Sequence, residues 1–292
     1  MGGWWVALGY QPNQFTRMKT IVVPTDLSLG TDVALSVAVD IARTQGATIQ
    51  LLHSVAYPMP VPAYAEAATI MTDRTITEYR EIEQDAEATL KRFATNPAYR
   101  DVEITPTLLT NGQGLVRNVT HQPADLIVMA SEGASGLEEL LLGSNAEVIV
   151  RHAHCPVLIV KQPVPHFWPE NIVCAIDVDD RLKTLQHYPF QMGENGLNRF
   201  LYVMTPTDNR DPVGVRAWVN DLAQSKGITD VECVIRPAKT IPDGIIRYAD
   251  DTKADLIVLF THGYKGLSHL IYGSVAEDVL NHATMPVLIM RV

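Results

Sequence analysis

Cysteine is scarce: three residues, Cys155, Cys174 and Cys233, stand far apart in a chain of 292. An odd, widely spaced set excludes a disulfide framework and suits a reducing compartment. Basic residues are also in the minority, 23 Lys and Arg against 33 Asp and Glu, for a net charge of −10. Without clustered cations the chain has little to neutralise phosphate backbone, so no nucleic acid partner is expected. No apolar run approaches the ~20 residues that span a bilayer, so no membrane segment is expected either. Residues 1–17 lack the basic start and long apolar stretch of a secretory signal. They read as a leader or tail, with Met18, just ahead of the first strand, a candidate for the natural start. These absences point to a soluble, cytoplasmic protein.

What the chain does have is an internal repeat. Ala124-Asp125-Leu126-Ile127-Val128 returns as Ala254-Asp255-Leu256-Ile257-Val258, an offset of 130. At the same offset Gly133 falls on Gly263, Gly143-Ser144 on Gly273-Ser274, and Pro156-Val157-Leu158-Ile159 on Pro286-Val287-Leu288-Ile289. Earlier, Ile21-Val22 with Asp26 matches Ile172-Val173 with Asp177. A period of this length is a whole domain rather than a solenoid unit. The expected division is a first domain over 18–161, a Pro-rich linker over 162–169 and a second domain over 170–292. Three prolines in the linker, Pro163, Pro165 and Pro169, stiffen it.

Within the first unit, Thr20–Val23 is a short, nearly continuous apolar run, as in a strand covered on both faces, and further strands are predicted at Ile49–Leu52, Val102–Leu108, Leu126–Met129 and Val157–Val160. Between them lie stripes at helical spacing. Val33, Val37 and Ile41 lead to a stop at Gly46; Ile76, Tyr79, Ala86, Leu90 and Phe93 mark a long helix. A short helix is expected around Leu115–Val119 and a further one over Leu137–His152. Strands alternating with helices imply a parallel, doubly wound α/β sheet. The second unit repeats the plan with losses in its N-terminal half. Pro189 interrupts its first helical region, Arg181–Met192, and a shorter second helix carries Val215, Trp218, Val219 and Leu222 on one face. The aromatic cluster of His187, Tyr188 and Phe190 is read as packing.

The loop after each fourth strand reads Ser131-Glu132-Gly133, nine residues, Gly143-Ser144, and Thr261-His262-Gly263, nine residues, Gly273-Ser274. Glycines let a backbone approach phosphate closely, and a Gly-Ser opening a helix adds a hydroxyl and the positive helix end. With an Asp closing the first strand, the pattern resembles the universal stress protein family over nearly the whole chain. The resemblance implies two tandem domains, each a five-stranded parallel sheet in the order 3-2-1-4-5, with ATP or another adenine nucleotide at the switch point between strands one and four. Carried over by position, the nucleotide site of the first domain is Asp26, Val55, Ala130, Gly133, Gly143 and Ser144, with Asp26 and the Val55 backbone on the base. A second, weaker site is Asp177, Met204, Gly263, Gly273 and Ser274.

Both units depart from the family pattern at its first glycine, which is Ala130 in one and Phe260 in the other. A methyl is easier to absorb than a phenyl ring, so the first site is favoured; Glu132 adds a carboxylate that would repel phosphate unless turned away. The bland reading keeps the Gly-Ser loops as turns and caps, and the two aspartates as Asx turns. Two functions therefore stand side by side: a nucleotide-binding stress sensor or regulator, and a nucleotide-free interaction scaffold with an unknown client. Catalysis is not expected, because no nucleophile with a matching acid and base is identifiable, and ATP hydrolysis is the weakest reading. His152, His154 and Cys155 do not form a metal set. His152 and His282 share a helix-end position that suits the dipole. In the family resemblance the fifth strands of two domains pair edge to edge, so Val157–Val160 and Val287–Met290 are expected to form an internal pseudo-dimer. Association of two such chains into a homodimer is compatible with the same logic.

Overall fold

The computed structural model describes residues 18–55, 73–131, 143–184, 199–228, 230–261 and 274–292. The leader, the Pro189 interruption, the aromatic cluster at 187–190 and residues 137–142 of the expected fourth helix lie outside them, as do the side chains of 73–76 and 274.

The first half runs β1 (Thr20–Pro24), α1 (Gly30–Gln45), β2 (Thr48–Ser54), α2 (Asp73–Ala94), β3 (Ile104–Leu109), α3 (Leu115–Thr120), β4 (Leu126–Ala130), α4 (Ser144–His152) and β5 (Val157–Val160). The second runs β6 (Ile172–Ala175), α5 (Arg181–Thr184), β7 (Arg199–Met204), α6 (Pro212–Ser225), β8 (Glu232–Pro237), α7 (Ile241–Thr252), β9 (Leu256–Thr261), α8 (Ser274–His282) and β10 (Val287–Arg291). The five expected strands of the first half are all present. β3 begins at Ile104 rather than Val102, because the Val102 amide is spent on Tyr99 in a turn after a short 3-10 helix. α1 ends where expected, on a left-handed Gly46 whose amide caps the Ala42 carbonyl. α6 is shorter than α2, 14 residues against 22, and starts on an Asp211 cap followed by Pro212.

All the described strands join one ten-stranded sheet in the order β3-β2-β1-β4-β5-β10-β9-β6-β7-β8. Each half has the order 3-2-1-4-5 and is parallel internally. At the centre β5 and β10 pair antiparallel, with Val157 opposite Ile289, Leu158 opposite Leu288 and Ile159 opposite Val287. Leu158 thus faces its own counterpart in the repeat, which puts the pseudo-twofold axis through that pair. Every one of these six side chains is at most 3% exposed. Two apolar layers, one per sheet face, run across this seam without a break: one joins Val160 to Met290, the other Ile159 to Val287.

The connection between the halves is docked. Phe167 is 3% exposed in the core on the α1 side, and its amide donates to the Asp40 carboxylate at 2.8 Å. Asp40 also receives Arg43, which forks onto both oxygens of Asp101 at 2.7 and 2.9 Å. At the outer edges, Pro106 sits within β3, and the Arg216 guanidinium donates to the Cys233 carbonyl of β8 at 2.7 Å. Among the described residues no helix is long and apolar enough to cross a membrane.

Two outcomes follow from this packing. Leu288→Asp places a carboxylate with no partner at the axis of the seam, and should cost about 4 kcal/mol or more of unfolding free energy or drive aggregation. Leu29→Asp, at a side chain 87% exposed, should change little; equal denaturation midpoints for the two variants would refute the seam's role. The second outcome concerns acid. Hydrogen bonds from Arg43 hold the Asp101 carboxyl down at about 2. Since that is below an ordinary aspartate near 4, the pair's stabilisation is present above about pH 4 and is lost as pH falls toward 2. Asp101→Asn should therefore flatten part of the acid limb in a urea-midpoint-against-pH plot, and parallel curves would contradict the assignment.

Candidate functional site

The order of strands reverses between β1 and β4 in the first half and between β6 and β9 in the second, so crevices open at the C-terminal ends of those strands. In the first crevice the chain leaving β1 is tightly held. The Thr25 amide donates to Leu52 O at 2.9 Å, continuing the ladder, and the Thr25 carbonyl is hydrogen-bonded to His53 Nδ1 at 2.7 Å. The hydroxyls of Thr25 and Thr31, residues 3% and 4% exposed, bond to each other. Leu27 turns left-handed at φ 67°, with its amide on Thr25 Oγ1 at 2.8 Å. Asp26 is exposed on this turn, and its Oδ1 accepts the Ser28 amide at 3.0 Å, the Asx turn of the bland reading.

Across the crevice, the end of β4 meets the start of α4. The Ser131 amide donates to Val160 O, and the Gly143 amide returns to Ser131 O at 2.9 Å. A Cβ on Gly143 would lie 3.1 Å from that same carbonyl, so the glycine serves a close backbone approach; its φ of −60° makes no such demand. Ser144, exposed, opens α4, whose start has no side-chain cap among the described residues and carries the positive end of the helix dipole. Ser131 Oγ is buried without a hydrogen-bond partner among the described residues. Ala130 closes β4 beside Val160, partly buried against the core. Val55 is buried just beyond β2, with its amide donating to Leu109 O at 2.9 Å. Behind it Asn118 Nδ2 donates to Ser54 Oγ, Asn111 Oδ1 and Gln113 O, which ties the loop after β3 to the end of β2. Asp26, Val55, Ala130, Gly143 and Ser144 therefore lie at strand ends or a helix start along the same rim. Gly133 and Glu132 lie outside the described residues.

The second crevice differs in chemistry. Ile176 keeps the backbone bond to Leu201 O but has no hydroxyl to match Thr25. Asp177 is exposed, and the charges of both Arg181 and Arg210 act on it. Those arginines are also engaged locally: Arg181 grips Asp179, and Arg210 donates to the Tyr202 hydroxyl, which itself donates to Asp208. That bond from Tyr202 is the main reason the Asp208 carboxyl sits below its ordinary range. Met204 has one acceptor position of its carbonyl taken by the Ala238 amide at 3.1 Å. Phe260 pairs with Met290 and packs against the core on that face. Ser274 starts α8, while Gly263 and Gly273 lie outside the described residues.

Sequence reasoning passed over Thr25, Thr31, His53 and Asn118. No spacing betrays them, because they meet only when β1, β2 and the helices after β1 and β3 assemble. The paired histidines behave alike: Nδ1 of His152 and of His282 bonds the carbonyl four residues back, at 2.9 and 2.7 Å.

A family model described as the universal stress protein family matches residues 18–161 and 204–291. The chain belongs to the universal stress protein family. A universal stress protein of Methanocaldococcus jannaschii is 33% identical over 150 residues, 50% of this chain and 83% of that protein. One of Bacillus subtilis is 27% identical over 151 residues, 50% of this chain and 99% of that one. Among solved structures, a universal stress protein of Archaeoglobus fulgidus aligns over 93% of this chain and 96% of its own, with TM-score 0.66 and 20% identity. A protein of Pseudomonas aeruginosa described as a putative universal stress protein aligns over 96% and 95%, with TM-score 0.58 and 18% identity. These likenesses extend the fold over both halves. The second family match starts only at Met204, past β6, α5 and the rest of β7, a stretch that carries the Arg181–Asp179 and Lys183–Asp180 ion pairs.

The thiols stand apart from both crevices' chemistry. Burial pushes Cys155 up to about 12 and raises Cys174 and Cys233 as well. None is a thiolate at neutral pH, and thiolate is the reactive form. Native protein should resist a maleimide or disulfide reagent at pH 7.5 for minutes and take up label on all three cysteines once unfolded in guanidinium; rapid native labelling would contradict this.

Proposed function

We propose that this universal stress protein binds an adenine nucleotide, ATP or a close relative, at the crevice of the first half, and acts as a sensor or regulator rather than as an enzyme. The observation that carries the reading is the convergence on one rim of an exposed Asp26 carboxylate and an uncapped α4 start at Gly143-Ser144, held to β4 through Ser131. A carboxylate accepts from an exocyclic amine, and a helix start with free amides attracts phosphate. The Ser131 hydroxyl beside Gly143, buried and without a hydrogen-bond partner among the described residues, supports the same reading, since an unsatisfied buried polar group is costly. In this reading Val55 contributes backbone to the base, and Gly133 and Gly143 approach the phosphates. The second half, with Arg181, Arg210, Tyr202 and the Met204 carbonyl already engaged and Phe260 at the strand end, is the weaker site or none.

The scaffold reading has its own support. The Asx turn of Asp26 and the contact of Gly143 with Ser131 O each explain a motif residue without any ligand. In either reading residues 18–161 and 170–292 are two domains forming an internal pseudo-dimer, the compartment is the cytoplasm, and a homodimer of chains is an additional level of assembly.

Protein purified without added nucleotide, then denatured and chromatographed, should release an adenine nucleotide, or the stripped protein should titrate with ATP. Asp26→Ala should weaken that binding about tenfold, the loss of one charge-assisted hydrogen bond. Absence of both released and titratable nucleotide favours the scaffold, and occupancy only beside Asp177 and Ser274 reverses the assignment of the site.

A further inference from the structure

We propose that Thr25, backed by Thr31 and His53, is a positioning residue that sets the Asp26 carboxylate and confers preference for adenine over guanine. This rests on the nucleotide reading of the first crevice.

The geometry begins with Leu27. Its φ of 67° is an uncommon state for a residue with a bulky side chain, and such states persist only where the surroundings impose them. Here the imposing groups are identifiable. The Leu27 amide is captured by Thr25 Oγ1 at 2.8 Å, which closes the turn around Asp26. Thr25 cannot swing away, because its hydroxyl is bonded to Thr31 inside the protein, its amide to Leu52 O and its carbonyl to His53 Nδ1. The Ser28 amide then fixes one Asp26 oxygen at 3.0 Å. The turn that carries the carboxylate is therefore held by its own bonds, by α1 and by β2 before any ligand arrives, which lowers the ordering cost of binding.

The second half serves as an internal comparison. Ile176 stands where Thr25 does, Tyr202 stands where His53 does and is spent on Asp208, and the residue after Asp177 is not left-handed. Among the described residues, the part of the clamp that recurs there is the backbone bond from Ile176 to Leu201 O. The clamp is thus a property of one crevice and not of the fold. A carboxylate held opposite position 6 accepts from the 6-amino group of adenine and opposes the 6-oxo group of guanine, whereas one free to shift along the base edge can take guanine's N1–H and 2-amino donors instead; fixing Asp26 is therefore what converts into base selectivity.

The test uses the full chain with Thr25→Val, which keeps the shape and removes the hydroxyl, Thr25→Ser, which restores it, and His53→Leu. Amide exchange read residue by residue needs no ligand: the Leu27 amide should exchange about tenfold faster in Thr25→Val than in wild type and recover in Thr25→Ser. Unchanged Leu27 exchange in Thr25→Val overturns the clamp whatever the protein binds. Titration with ATP and with GTP follows. The Thr25→Val and His53→Leu variants should lose about tenfold in ATP affinity and most of the ATP-to-GTP ratio, with Thr25→Ser close to wild type. Variants that keep the wild-type ratio overturn the assignment of selectivity. Wild type that binds neither nucleotide overturns the nucleotide reading and the selectivity with it, while the exchange result still decides the clamp. If Thr25→Val does not fold, His53→Leu carries both measurements.

Discussion

The antiparallel pairing of β5 with β10 is the constraint to which the other parts of the fold answer. Each half on its own would end in an apolar strand whose edge groups lack partners, and such an edge either pairs or aggregates. Joining the halves in one chain supplies the partner at high effective concentration. The axis then falls through Leu158 and Leu288, and the two apolar layers become common to both halves. The docked connection adds to this, since Phe167 and its bond to Asp40 anchor the link against α1 instead of leaving it a loose tether.

A shared core explains how the two crevices came to differ so far. The second half contributes β10 and its covering helices to the common sheet, so its framework is needed whether or not its crevice keeps its chemistry. The framework is intact, with each strand in the same order as in the first half. The rim is altered: Ile176, Tyr202 and Phe260 occupy places held in the first half by Thr25, His53 and Ala130, and Arg181 and Arg210, paired with Asp179 and Asp208, bring positive charge toward Asp177. Structure is maintained by the many contacts of buried residues, whereas a site depends on a few exposed groups that can change without loss of folding.

Much of the framework was legible in the sequence because burial on both faces imposes continuous apolar runs and helical stripes, as in Val157–Val160 and the Ala86, Leu90, Phe93 series. Duplication added a second reading of each element, and the fifth-strand pairing was implied by the family resemblance, with the unpaired edges of two short apolar strands in its favour. The rim was legible only in part. Asp26, Gly143 and Ser144 stand out by motif, but the groups that hold Asp26 come from residues 25, 31 and 53, whose types are ordinary and whose meeting is tertiary. The start of β3 was misplaced for a similar reason: Val102 is as apolar as a strand residue, and only its bond to Tyr99 assigns it to a turn. In the linker the prolines were visible while the anchoring of Phe167 was not, because nothing local marks one aromatic for burial and its neighbour Trp168 for 52% exposure.

The outer edges of the sheet have a consequence for how copies of this chain meet. A filament grows by adding a strand to a vacant edge, and each addition must leave another vacancy behind it. Fusion has used up the two apolar edges on each other, and what remains at the flanks is a strand interrupted by Pro106 and one whose Cys233 carbonyl is already taken by Arg216. Neither flank is a good template for the next monomer. The molecule is in that sense a terminated oligomer, a chain reaction that stops after one step.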